Sequence, residues 1–161
     1  MTVKYIDQVD LENKRVMVRV DFNVPYDREM NITDDTRIKA TIPTINYCLK
    51  NSARIILVSH LGRPKGQIKP SASLAPVAQR LSELTGKKIR FIDTPLGNET
   101  IEISRNIAPG EIVLLENIRF YPGEEKNDRA LGELLAKHAD VFINDAFAAA
   151  HRGHASNFAV T

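Results

Sequence analysis

The chain has 161 residues, 43% hydrophobic and 26% charged, with 22 Lys and Arg against 20 Asp and Glu. So ordinary a mix excludes intrinsic disorder, collagen-like repeats and a coiled coil, and the length holds one full domain rather than two large ones. The formal net charge of +2 gives no general attraction for nucleic acid, so local charge placement has to carry the function. The single cysteine, Cys48, forbids an intramolecular disulfide and a multi-cysteine zinc cage, and fits a reducing, cytoplasmic compartment. The opening MTVKYIDQVD lacks the basic start and apolar core of a secretory signal, and no apolar run reaches membrane-spanning length; neither export nor membrane insertion is expected.

Five short apolar runs, residues 16–22, 54–59, 88–92, 112–116 and 141–144, read as strands. Most are continuous rather than alternating, as in parallel strands covered on both faces. Between the first two, Ile38, Ile42, Ile45 and Leu49 share a helical face, with Thr33, Asp34 and Asp35 as cap or first-turn residues. Pro43 leaves two readings open: a helix that starts near Ile42, or one helix kinked close to Lys39. The second connection has Ser73 as N-cap, Leu74, Val77, Leu81 and Leu84 at helical spacing, and Gly86 as the stop. Residues 98–106 form a weaker helix, and Pro109 and Gly110 turn the chain into the fourth strand. The fourth connection passes the acidic pair Glu124 and Glu125, whose charges are expected on a solvated face, before a helix carrying Leu131, Leu134 and Leu135. Alternating strands and helices predict an α/β fold: a single-domain, Rossmann-like, doubly wound parallel sheet with helices on both faces.

Open parallel sheets bind ligands outside the carboxyl ends of their strands. There the sequence sets Asp21, Asn23 and Pro25 after the first strand, His60, Gly62 and Arg63 after the second, Asn117 and Arg119 after the fourth, and Asp145, His151 and Arg152 after the fifth. Arg37 lies in the first connection. If these exits share one mouth, Arg37, Arg63, Arg119 and Arg152 converge with His60, an arrangement that repels itself unless an anion is present and that suits phosphate or carboxylate oxygens. Asp21 fits either an arginine partner or a substrate hydroxyl. His138 and His154 read as structural, Cys48 as packing, and no spacing suggests a metal site. Walker, dinucleotide and nucleophile-elbow motifs are missing from the sequence.

VRVDFNVP at 18–25, DDTRI at 34–38, SHLGRPKG at 59–66, LLENIRFYPGEEKN at 114–127 and NDAFAAAHRGHAS at 144–156 resemble the N-terminal domain of the phosphoglycerate kinases, in order and over nearly the whole chain. The resemblance implies phosphoryl transfer between 1,3-bisphosphoglycerate and ADP, giving 3-phosphoglycerate and ATP, with this half holding the phosphoglycerate. It implies Arg37 as the catalytic charge stabiliser at the transferring phosphoryl, Asp21 and Asn23 at the glycerate hydroxyl, and His60, Arg63, Arg119 and Arg152 on the resident phosphate. Family members are more than twice as long. The resemblance thus implies that residues 1–161 are a truncated phosphoglycerate-binding domain, that Mg-ADP or Mg-ATP belongs to a C-terminal domain absent here, and that the piece alone is a monomer incapable of turnover. Ala148 and Gly153 depart from the glycine and alanine usual in the family, which bears on how Arg152 is placed. Two other functions compete: an aspartyl phosphotransferase using Asp21 as phosphoacceptor, and a noncatalytic domain that binds anions or nucleic acid.

Overall fold

The computed structural model describes residues 4–146 and 153–161. Each apolar run yields a strand: β1 (Arg15–Arg19), β2 (Arg54–Val58), β3 (Ile89–Ile92), β4 (Ile112–Leu115) and β5 (Val141–Asn144). In β1 the apolar run outlasts the ladder. Phe22 is fully buried although the ladder with β2 ends where the Val20 amide donates to the Val58 carbonyl at 3.0 Å, because hydrophobicity reports burial and not hydrogen bonding.

The helices are α1 (Thr36–Lys50), α2 (Ala75–Thr85), α3 (Asn98–Asn106) and α4 (Arg129–Ala136). One helix runs through Pro43, so the reading that starts it near Ile42 is set aside. A missing interior donor costs about 3 kcal/mol, and the buried face of Ile38, Ile45 and Cys48 offsets that cost. Thr41 joins this face in place of the expected Ile42 and satisfies its hydroxyl on the Ile38 carbonyl at 2.9 Å; Ile42 and Leu49 pack at its margin. At α2 the cap falls on Leu74, one residue later than expected. Ser73 still accepts from the Ala75 amide, and Glu116, arriving from the end of β4, takes the Leu74 amide at 2.9 Å and the Ser73 hydroxyl at 2.7 Å. Gly86 ends α2 in the left-handed conformation, as expected.

The sheet has the order β3-β4-β2-β1-β5, with every pairing parallel. The steps from β1 to β2 and from β2 to β3 move toward one edge; those from β3 to β4 and from β4 to β5 move toward the other. Right-handed crossovers then place α1 and α2 on one face and α3 and α4 on the other. The two cores agree. Val16, Val18, Ile55, Leu57, Ile112 and Leu114 pack with Ile38, Ile45, Val77 and Leu81, while Met17, Ile56, Val58, Val113 and Leu115 pack with Ile107, Leu131 and Leu135.

The C-terminal stretch, which shows no element by sequence pattern, forms a π-helical turn at Ala155–Ala159. It lies against α4 so closely that a β-carbon on Gly132 would come within 2.5 Å of the Ala159 carbonyl.

Candidate functional site

The chain leaves β4 toward one face and its neighbour β2 toward the other, and it is at such a reversal, outside the carboxyl ends of the strands, that open parallel sheets bind ligands. Asn117, fully buried, ties the segments that follow these two strands together. The side-chain oxygen accepts from the Leu61 amide at 3.2 Å and the Arg119 amide at 3.0 Å, and its nitrogen donates to the carbonyls of Leu61 at 2.7 Å and Ala72 at 2.9 Å. An amide satisfied at all four positions leaves neither loop free to drift.

On this base four of the predicted residues, Arg37, Asp21, Asn23 and Arg119, form a continuous arc with Gly62, through bonds that do not include His60 or Arg63. Arg119, in a 3-10 turn at Ile118–Phe120, donates through Nη1 to the Gly62 carbonyl at 2.8 Å. The Gly62 amide donates to Asn23 Oδ1 at 2.8 Å. The Asn23 amide donates to Asp21 Oδ1 at 3.1 Å, and Asp21 Oδ2 pairs with Arg37 Nη1 at 2.8 Å. Segments distant in sequence thus meet through named hydrogen bonds. The 59–66 loop is pinned again where the Gly66 amide donates to the Arg119 carbonyl at 3.2 Å. Gly66 has φ of +71°, and a β-carbon there would come within 2.9 Å of Pro122 Cα, so only glycine closes this contact without strain.

The charges of the arc are partly compensated. Arg37 is half exposed beside Asp21, and Arg119 Nε lies 3.7 Å from Glu125 Oε1. Arg63 is exposed on its loop, and His60 is buried with Nδ1 2.9 Å from Arg19 Nη2. Of the two readings of Asp21, the structure shows the arginine partner, with both carboxylate oxygens engaged. Arg152, His151 and Ala148 lie outside the described residues; Gly153 is exposed and a β-carbon there would meet nothing.

Two residues of the site went unrecognised in the sequence. Arg19 sits within the first apolar run and is fully buried; burial lowers its guanidinium pKa to about 10 against the opposing pull of Glu124 and Asp21, which leaves it charged at neutral pH. Glu124 corrects the expectation of a solvated acidic pair. Glu125 is exposed, but Glu124 is fully buried and takes the Ser156 amide at 2.9 Å and hydroxyl at 2.6 Å. The available signal was a charge inside an apolar strand, which is costly unless something pairs with it.

The structural readings of His138 and Cys48 hold. His138 is buried between the Leu134 carbonyl and the Thr100 hydroxyl, each at 2.9 Å. Cys48 is fully buried, and burial pushes its thiol up to about 11. No group of His, Cys, Asp and Glu suited to a metal ion occurs among the described residues, and no described helix is long and apolar enough to cross a membrane.

Fold and site together define a doubly wound α/β domain whose loops at the topological switch point are joined through Arg37, Asp21, Asn23, Gly62 and Arg119. The family model described as phosphoglycerate kinase matches residues 6–161. Relatives named phosphoglycerate kinase include one from Geotalea uraniireducens (strain Rf4), 51% identical over all of this chain and 41% of its own length, and one from Prochlorococcus marinus (strain MIT 9515), 52% identical over all of this chain and 40% of its own. The phosphoglycerate kinase structure from Coxiella burnetii superposes with a TM-score of 0.86 at 39% identity, over 96% of this chain and 38% of that one. That from Pyrococcus horikoshii OT3 gives 0.84 at 32%, over 94% and 38%. The chain belongs to the phosphoglycerate kinase family, and it spans about 40% of the length of the curated relatives it matches.

Proposed function

We propose that this chain is the phosphoglycerate-binding part of a phosphoglycerate kinase, which transfers a phosphoryl group between 1,3-bisphosphoglycerate and ADP to give 3-phosphoglycerate and ATP. The observation that carries the reading is the bonded arc from Arg37 through Asp21, Asn23 and Gly62 to Arg119. It gathers cationic and polar groups from separate loops at the carboxyl ends of the strands, the arrangement a small phosphorylated acid requires.

In this reading His60, Arg63, Arg119 and Arg152 hold the resident phosphate, and Asp21 and Asn23 receive the glycerate hydroxyl. Arg37 reaches the phosphoryl group in flight after giving up part of its pairing with Asp21. Phosphoryl transfer asks little covalent chemistry of the protein and much positioning and positive charge at the equatorial oxygens. Mg-nucleotide enters as the second substrate, carried by a part of the enzyme outside these 161 residues, so the chain by itself binds without turning over.

The test is an NMR titration of the chain with 3-phosphoglycerate and with inorganic phosphate at two salt concentrations. Shifts should centre on residues 60–63 and 117–119, favour the glycerate and weaken with salt. Arg119→Ala should weaken binding by about ten- to a hundredfold, the loss of one charge-assisted hydrogen bond. Equal binding of both anions, or shifts away from these loops, would refute the assignment.

A further inference from the structure

Arg19 follows Met17 on the α3 and α4 face of β1, where strand alternation directs its side chain under the C-terminal turn. Its guanidinium is engaged through each of its three nitrogens. Nε donates to Ser156 Oγ at 2.9 Å, Nη1 donates to the Val20 carbonyl, and Nη2 lies 2.9 Å from His60 Nδ1. Ser156 is itself anchored, since its hydroxyl donates to Glu124 Oε1 at 2.6 Å and its amide to Glu124 Oε2 at 2.9 Å. A hydroxyl has a single proton, so Ser156 gives that proton to Glu124 and a lone pair to Arg19. A chain of bonds, Glu124 to Ser156 to Arg19, therefore ends on one ring nitrogen.

A guanidinium donates and cannot accept. Nδ1 of His60 must then present its lone pair to Arg19, and the proton of the neutral ring resides on Nε2. Burying an arginine and a glutamate in this way gains little stability over well-packed apolar side chains of the same volume, so an oriented ring is what the arrangement specifically provides. The other charged groups close enough to act on Arg19 are Asp21, from the loop after β1, and Arg119, from the turn after β4; neither hydrogen bonds to the guanidinium.

We propose that Arg19, backed by Ser156 and Glu124, is a positioning residue that fixes His60 in the tautomer with its proton on Nε2, the form that donates a hydrogen bond to an anion. The link to phosphate rests on the function proposed above; the tautomer itself does not.

The test is two-bond 1H–15N NMR of the imidazole rings in the 15N-labelled, ligand-free full chain at neutral pH, with His60 assigned by the peaks lost in His60→Gln. The unaltered chain should show His60 protonated at Nε2, with a 15N–15N coupling across the hydrogen bond from Arg19 Nη2 to His60 Nδ1. Arg19→Met, which removes the donor, should shift the ring toward the Nδ1-protonated form, and Arg19→Lys, which keeps one donor, should restore the original pattern. Ser156→Ala removes only the anchor and should shift the ring the same way by a smaller amount, which keeps the test open if Arg19→Met does not fold. A ring protonated at Nδ1 in the unaltered chain, absence of the coupling, or an unchanged ring in whichever variant folds would overturn the proposal. Because no ligand is present, a chain that shows the tautomer but fails to bind 3-phosphoglycerate refutes the proposed function and leaves the positioning role standing.

Discussion

On the face covered by α1 and α2, the central strands present Val16, Val18, Ile55, Leu57, Ile112 and Leu114 to apolar helix residues. On the face covered by α3, α4 and the C-terminal turn, the same strands present Met17, Ile56 and Val113 and then, in line with Met17, the fully buried Arg19. Glu124, Ser156, Thr100, Ser104 and His138 are buried with the elements that cover this second face. The first face gains its stability from area removed from water, at about 25 cal/mol per Å². The second contains polar groups that stabilise little in themselves but orient what they touch. Its buried charge lies under His60, so the face that is harder to seal is the one that supports the candidate site.

The contrast can be broken most directly at Glu124. Glu124→Leu leaves Arg19 buried without its chief carboxylate and should destabilise the fold by about 3–5 kcal/mol in urea unfolding, where Ile55→Val on the apolar face should cost about 0.5–1.5 kcal/mol. Equal costs would mean that the two faces are held together alike. A smaller effect is expected at Gly132, where a methyl group would strike the Ala159 carbonyl. Gly132→Ala should cost about 1–3 kcal/mol by overpacking, and hydrogen exchange should show protection lost from the Ala155–Ala159 turn while α1 is unaffected.

The smallest effect concerns His138, whose pKa burial holds below the usual 6.5. Its unfolded form takes up a proton more readily than the folded one, so its contribution is intact above about pH 6.5 and declines as the pH falls through and below that value, by at most about 1.4 kcal/mol per unit. His138→Gln should flatten that part of the stability profile. An unchanged pH dependence would remove His138 from the polar inventory of the second face.

The strands and helices were legible in the sequence because continuous apolar runs and helical spacing report burial directly. Strand exits then pointed to Asp21, Asn23, His60, Arg63 and Arg119, because the place where an open parallel sheet binds its ligand follows from topology without any side-chain detail; Arg37 came from the connection after the first strand and from the DDTRI resemblance. The strand order was not legible, since nothing local in β5 says that it pairs with β1. Arg19 was missed for a related reason. Arg19 is diluted in residues 16–22, where five of seven residues are apolar, and its partners Ser156 and Glu124 lie far along the chain. Glu124 was misread because neighbouring acidic residues look alike in sequence and only the fold buries one of them. At α1, Ile42 and Thr41 exchanged places because the periodicity of large apolar residues ignores a hydroxyl that can satisfy itself on its own helix.

The pairing of Val16 with Val141 bears on how the chain is made. β1 finds β2 early, but its other flank must wait until residues 59–140 have emerged and α4 has crossed the sheet. At synthesis rates of about 5–20 residues per second, that wait is on the order of ten seconds. For that interval the flank of β1 that will receive β5 is an unpaired strand edge, and Arg19 at its carboxyl end is a charge of the kind that disfavours edge-to-edge pairing.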